Sequence, residues 1–262
     1  MKIRDVIQHL EAVAPPEYQE DYDNSGLIAG NVNDECSGIL VSLDCTENLI
    51  PEALEKNCNL IVSHHPLIFR PIRSITPDNG TGKTLISAIK NNISVYAIHT
   101  NLDNIISGVN ARIGDKLGLV NRKILQPREG GAPSVGSGLA GDLKKAVSEK
   151  QLLEELKVKF GIPMIRHSPL TGRSVSRIAV CGGAGSFLIP NALQEGAGFF
   201  ISADIRYHDF FSAEGQIVIA DIGHFESEQF TVDLIHDVIL EKFPNFAVLK
   251  SGSSTNPVNY YI

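Results

Sequence analysis

The sequence predicts an α/β protein of two related, interlinked lobes, each a mixed sheet covered by helices. Three observations predict it. Short apolar runs of strand length alternate with longer segments whose apolar residues recur at helical spacing, the pattern of strand–helix–strand units. Part of the first half recurs in the second half in one register. And 262 residues, 43% hydrophobic and 20% charged, suffice for one large core or two.

The first half reads in order as follows. Ile3, Val6, Ile7, Leu10 and Val13 fall on one face of a helix over about 3–13. A loop leads to a strand at Ile39–Leu43, a helix near 47–57 and a strand at Leu60–Ser63. A second loop, a helix near 82–91, a strand at Ile93–Ile98 and a helix near 107–117 complete the lobe.

The second half repeats part of this. With Gly38 set against Arg177, Ile39 meets Ile178 and Val41 meets Val180. Leu49-Ile50-Pro51 then meets Leu188-Ile189-Pro190, Ala53-Leu54 meets Ala192-Leu193, and Ser63 meets Ser202. Each unit is strand, turn, helix with an early proline, and buried strand. The proline suits a first helical turn, where its missing N–H costs nothing. The Gly-, Pro- and Ser-rich stretch at about 125–139 is the expected linker, which divides the chain into lobes 1–124 and 125–262.

Several classes of function are disfavoured. A net charge of −7 argues against general affinity for nucleic-acid phosphates. No run reaches the roughly 18 apolar residues of a membrane span. The N-terminus is an amphipathic helix with charges throughout, unlike a secretory signal. Cys36, Cys45, Cys58 and Cys181 form no C-x-x-C pair and read as reduced thiols, so a cytoplasmic protein is expected.

The chemistry concentrates at strand ends. Ser63-His64-His65-Pro66 closes the apolar run NLIVS, and ligands in open α/β sheets bind beyond the carboxyl ends of strands. Pro66 favours extended geometry at His65, so the two imidazoles point apart and suit two ions better than one. His99-x-x-x-Asp103 closes the next strand. His224-x-x-x-Glu228 follows a strand in the second half, and a helix there places both on one face. Glu226 then points elsewhere, as a surface or helix-start acid. Imidazole and carboxylate donors without thiolate suit Zn²⁺, Mn²⁺ or Fe²⁺. Two such ions about 3.5–4 Å apart support hydrolysis by a shared, metal-bridged hydroxide, with Asp103 or Glu228 as bridge.

The motifs DNSGL (Asp23–Leu27), SHHPLIF (Ser63–Phe69), HTNLD (His99–Asp103) and GHFESE (Gly223–Glu228) resemble, in order and over nearly the whole chain, those of the GTP cyclohydrolase 1 type 2 homologue family. The resemblance implies two divalent metal ions per chain, held between the lobes by His64, His65, Asp103, His224 and Glu228. It places His99 beside them. It further implies a toroidal homohexamer with its metal sites facing an internal cavity, and suggests opening of the GTP purine ring. Two departures are visible: Tyr22 stands where the family often has Trp, and the chain is too short for the domain that some members carry inserted.

On this reading the chain is a metal-dependent hydrolase of a small polar, nucleotide-like substrate, with His99 and His208 as proton-transfer candidates. The alternative is a non-catalytic metal-binding or regulatory assembly protein with a closed site. Asp204 and His208 are set either to line the cavity or to pair on the surface. Asp44 is set as a turn residue or as an acceptor behind the metal ligands. The loop Cys181–Ser186 is either an anion-binding turn or a plain one. Gly80-Thr81-Gly82-Lys83-Thr84 lacks the first glycine of a phosphate loop, with Pro77 in its place.

Overall fold

The computed structural model describes residues 1–261. The chain runs α1 (Ile3–Val13), β1 (Gly26–Ala29), β2 (Ile39–Ser42), α2 (Leu49–Glu55), β3 (Leu60–Ser63), α3 (Gly80–Lys90), β4 (Ser94–Ala97) and the short α4 (Thr100–Asp103). It continues with α5 (Val109–Leu117), β5 (Val120–Pro127), β6 (Gly136–Ser148), α6 (Glu149–Phe160), β7 (Arg166–His167), β8 (Ser174–Ala184), α7 (Ile189–Gln194) and β9 (Phe199–Ala203). A 3₁₀ segment (Tyr207–Ala213), β10 (Val218–Asp221), α8 (His224–Glu228), α9 (Thr231–Lys242) and β11 (Val248–Lys250) follow. No helix among the described residues is long and apolar enough to cross a membrane.

Two compact units emerge: Met1–Leu102 with Thr231–Asn259, and Asp103–Phe230 with Tyr260 onward. In the first unit the sheet order is β1-β4-β3-β2-β11. The inner pairs are parallel, and β1 closes one edge antiparallel to β4. Strands β2, β3 and β4 are buried along their whole length, as parallel strands covered on both faces must be. Leu40, Ile61 and Val95 pack with Leu49, Ile50 and Ala53 of α2 and Ala88 of α3. Each such fully buried Leu or Ile contributes about 1.5–3 kcal/mol. Helix α1 buries Ile3, Val6, Ile7 and Leu10, the face its periodicity marks.

The second unit has the sheet order β5-β6-β8-β9-β10-β7, with β8, β9 and β10 parallel and the outer strands antiparallel. One core gathers Leu152, Leu156 and Phe160 of α6 with Ile178, Val180, Phe199 and Ile201. A second gathers Ile189 and Ala192 of α7 with Ala179, Phe200 and Ile219. The alternation of neighbouring strand residues between these cores is the period-two pattern of a sheet covered on both faces.

The internal repeat has a structural counterpart. Ile39 pairs with Leu60, 21 residues on, and Ile178 pairs with Phe199, also 21 residues on. In both units the third parallel strand carries a short antiparallel edge partner. The expected lobe boundary is corrected. Residues 125–139 are the tip and flanks of the β5–β6 hairpin, with Gln126 opposite Ser137 and Pro127 opposite Gly136. Turn-forming composition does not distinguish a hairpin tip from a linker. The units divide instead at Leu102/Asp103, so Asp103 belongs to the second, and β11 returns to the first beside β2.

Candidate metal centre

In the first unit the parallel strands end at Ser42, Ser63 and Ala97, and the polar groups follow at once: Asp44 after β2, His64 and His65 after β3, His99 after β4. The backbone locks the turn after β3. His64 N–H donates to Ser42 O and His65 N–H to Leu43 O, at 3.2 and 2.9 Å. The three imidazoles gather with ring centroids 4.9 to 5.3 Å apart, so the His64 and His65 rings lie together, and the expectation that they point apart is corrected. Each offers a nitrogen within 4.8 Å of the others, a grouping that could hold a metal ion. His64 is fully buried, and His65 and His99 are partly so.

Each ring is held from behind. His64 Nδ1 lies 2.9 Å from Ile98 O, His65 Nδ1 2.8 Å from Asp44 Oδ1, and His99 Nδ1 2.7 Å from Asp23 Oδ1. An acceptor at Nδ1 puts the proton there and turns Nε2 outward as a ligand, the arrangement that supports metal-binding histidines. Asp23, whose carboxylate is wholly buried, also accepts from Thr100 Oγ1 and N–H, Ser25 Oγ and the Asn24 N–H. Burial alone would raise its pKa. The hydrogen bonds from His99, Thr100 and Asn24 outweigh it and hold the carboxyl far below the ordinary range. Asp44 is lowered in the same way: burial opposes, and His65 and Thr255 prevail.

In the second unit, β10 ends at Asp221, and Gly223 at φ +91° turns the chain into α8. His224 and Glu228 lie one helical turn apart, with His224 Nε2 3.0 Å from Glu228 Oε2. Asp204, just past β9, accepts from His224 Nδ1 at 2.7 Å. Burial disfavours a charged ring here, but Asp204 and Glu228 override it and push the His224 pKa up to about 11. A ring set between two carboxylates is a place that favours positive charge, which a divalent ion would supply in place of the proton. Gly183, at φ +62°, makes room: a Cβ there would stand 2.4 Å from Glu228 Oε1. Asp103 ends α4, and its carbonyl accepts from Asn110 Nδ2 at 3.3 Å. Burial, then the charges of Asp103 and Glu228, raise the pKa of the Cys181 thiol. The four cysteines are free and buried.

Set against the sequence, the first unit brings His64, His65 and His99 together, and the second pairs His224 with Glu228. His99 stands among the imidazoles as a third possible ligand, in a more direct place than the sequence assigned it. His208 is exposed on the 3₁₀ segment, stacked on Phe211 at 6.2 Å and edge-on to Tyr207 at 5.1 Å. Glu226 is buried in the first turn of α8 and takes a hydrogen bond from Tyr260, so of its two readings the helix-start acid holds and the surface acid does not. The Cys181–Ser186 segment binds side chains: Gly182, Gly183 and Gly185 N–H donate to Asn110, Ser227 and Ser202. Its amides are therefore already engaged.

Sequence reasoning missed the roles of Asp23, Thr100 and Thr255. Asp23 was visible only as part of a motif. Asp204 had a signal, because the repeat register sets it against His65.

The model of the Duf34/NIF3 (NGG1p interacting factor 3) family matches residues 1–257. A Clostridium acetobutylicum protein named GTP cyclohydrolase 1 type 2 homolog is 34% identical over 256 residues, 97% of this chain and 94% of its own. A Clostridium perfringens protein of the same name is 36% identical over 230 residues, 87% of each chain. The crystal structure of a Bacillus cereus protein related to NIF3 covers 100% of this chain and 99% of its own at a TM-score of 0.93. At 22% identity that likeness speaks for the fold. With the motifs, the fold and the full-length matches in agreement, the chain belongs to the Duf34/NIF3 family.

Proposed function

We propose that the chain is a dinuclear-metal protein acting as a metal-dependent hydrolase on a small polar, nucleotide-like substrate. His64, His65, Asp103, His224 and Glu228 would hold two divalent ions of Zn²⁺, Mn²⁺ or Fe²⁺ type. The observation that carries this reading is shared by four histidines. His64, His65, His99 and His224 each have Nδ1 on an oxygen acceptor, and three of those acceptors are carboxylates. An acceptor on Nδ1 alone is no mark of a metal site, since His167 and His236 have one too. What sets these four apart is that His64, His65 and His99 each bring a nitrogen within reach of the others, and that His224 has Glu228 one helical turn on. The donor set of nitrogen and carboxylate oxygen fits these ions. A pair of bound divalent cations lowers the pKa of water and polarises an ester or amidine-type carbon toward attack.

The chain's own groups supply the rest. Asp23 fixes the His99 ring, whose outward nitrogen is set to move a proton to or from a bound substrate. Asp44 and Asp204 do the same positioning for His65 and His224. His208, exposed on its 3₁₀ segment, is the second proton-transfer candidate. The name carried by the Clostridium relatives supports a purine nucleotide as the first substrate to try. We also propose that the protein is a cytoplasmic, toroidal homohexamer; sizing by light scattering tests the hexamer and cell fractionation the location.

The decisive experiment incubates metal-loaded protein with GTP and a panel of nucleotides and phosphoesters, and follows products by chromatography. Turnover that a chelator abolishes while circular dichroism stays unchanged supports the hydrolase. Absence of turnover across the panel, together with unfolding on chelation, favours the non-catalytic assembly reading instead.

A further inference from the structure

We infer that Thr255, in the C-terminal segment, is a positioning residue of the metal centre, acting on His65 through Asp44. The inference rests on the reading of His65 as a metal ligand. Thr255 Oγ1 donates to Asp44 Oδ2 at 2.7 Å. The other oxygen of that carboxylate, Oδ1, faces His65 Nδ1 at 2.8 Å. Both oxygens are thus committed, and the carboxylate cannot rotate without losing one partner. A carboxylate pinned at both ends fixes the plane and tautomer of the imidazole in front of it more tightly than one free to swing.

The tail that delivers Thr255 is itself anchored. After β11, Glu52 of α2 accepts from the Gly252 N–H at 2.7 Å, Ser251 Oγ at 2.7 Å and Ser253 Oγ at 3.0 Å. Ser251 N–H donates to Val41 O at 2.8 Å, in the strand that precedes Asp44. Three consecutive residues, the last of them two before Thr255, are tied down.

The same device occurs a second time in this unit. Asp23 holds His99 through Oδ1, and Thr100 caps Oδ2 through its hydroxyl. Two histidines of one cluster therefore stand on aspartates, and each aspartate is closed by a threonine hydroxyl. Thr100 is three residues before the candidate ligand Asp103. Thr255 comes from more than 150 residues beyond the nearest candidate of its own unit, His99, so local sequence could not reveal it.

The test compares Thr255→Val, Thr255→Ser and His65→Ala in the full chain. Zn²⁺ affinity is measured by chelator competition, and the visible absorption of the Co²⁺-loaded protein reports ligand geometry. Thr255→Val is expected to weaken Zn²⁺ binding about 10-fold, at the lower end for loss of a supporting hydrogen bond, and to alter the Co²⁺ spectrum. Its metal-free melting temperature should stay at the wild-type value, and Thr255→Ser should restore both metal readouts. Wild-type Zn²⁺ affinity and Co²⁺ spectrum in Thr255→Val, with His65→Ala losing metal, overturn the inference and leave the site intact. A Thr255→Val loss that Ser does not rescue, accompanied by a lower metal-free melting temperature, also overturns it. Full metal retention in His65→Ala overturns the reading of the site itself.

Discussion

At the scale of single residues, the centre is defined as much by what stands behind the histidines as by the histidines. Asp204 is the cleanest place to test this, because its side chain is 56% exposed and its loss leaves no buried hole. It sits at φ +53°, a conformation that asparagine tolerates as well as aspartate. Asp204→Asn keeps the shape and removes the charge behind His224. Metal affinity should fall about 10- to 100-fold, as for other supporting acceptors, and the metal-free melting temperature should fall as well, because Asp204 helps to hold the His224 ring charged; chelator competition reads the first and calorimetry the second. Gly183 tests the opposite face of the same group. A methyl at Gly183 would meet the Glu228 carboxylate, and the residue's φ of +62° disfavours any side chain at a cost of about 1–2 kcal/mol. Gly183→Ala should therefore lower both the melting temperature and the metal content by elemental analysis. Unchanged metal content would show that Glu228 can move aside and is not held for a ligand.

At the scale of elements, what the sequence made legible was local. The runs LIVS and SVYA read as strands because they are short, apolar and β-branched, and they occupy β3 and β4. The histidines were legible because they end those strands. The hairpin at 125–139 was misread because Pro127, Gly130, Gly131 and Pro133 break structure equally well inside a turn or a linker. The return of α9 and β11 to the first unit was not legible at all, since strand pairing across some 200 residues leaves no local mark. Glu52 shows what that long-range return depends on. Burial would raise its carboxyl pKa, but Lys56, Gly252, Ser251 and Ser253 bring it down from 4.5 to about 2. A folded-state pKa below the unfolded one contributes stability that is complete above about 4.5 and is lost as pH falls through about 2. Glu52→Gln should accordingly cost about 1–3 kcal/mol near neutral pH. Urea titrations of the two proteins should converge as pH is lowered from 4.5 toward 2. A gap that stays constant over that range would mean the carboxylate charge contributes nothing.

At the scale of the whole molecule, the repeat explains why candidate ligands arise in both halves. One strand–helix–strand pattern, with its register of 21 residues, is used twice, and in each copy polar groups follow the parallel strands. The copies differ at equivalent places: His64-His65 in the first stand where Ala203-Asp204 stand in the second, so one copy carries two imidazoles and the other the acceptor of His224. The first unit offers imidazoles and the second mostly carboxylates. If both sets serve one pair of ions, wild-type protein should bind about two divalent metals per chain, as two-metal sites do. His64→Ala and Glu228→Ala should each lose at least one. The double variant carries the sharper test. Residues that share a ligand couple, so the affinity losses of the single variants should fail to add in the pair by more than about 0.5 kcal/mol, whereas separate sites add within that margin. Additive losses measured by calorimetric titration with Zn²⁺ would assign each unit its own independent ion and remove the shared centre on which the hydrolase reading depends.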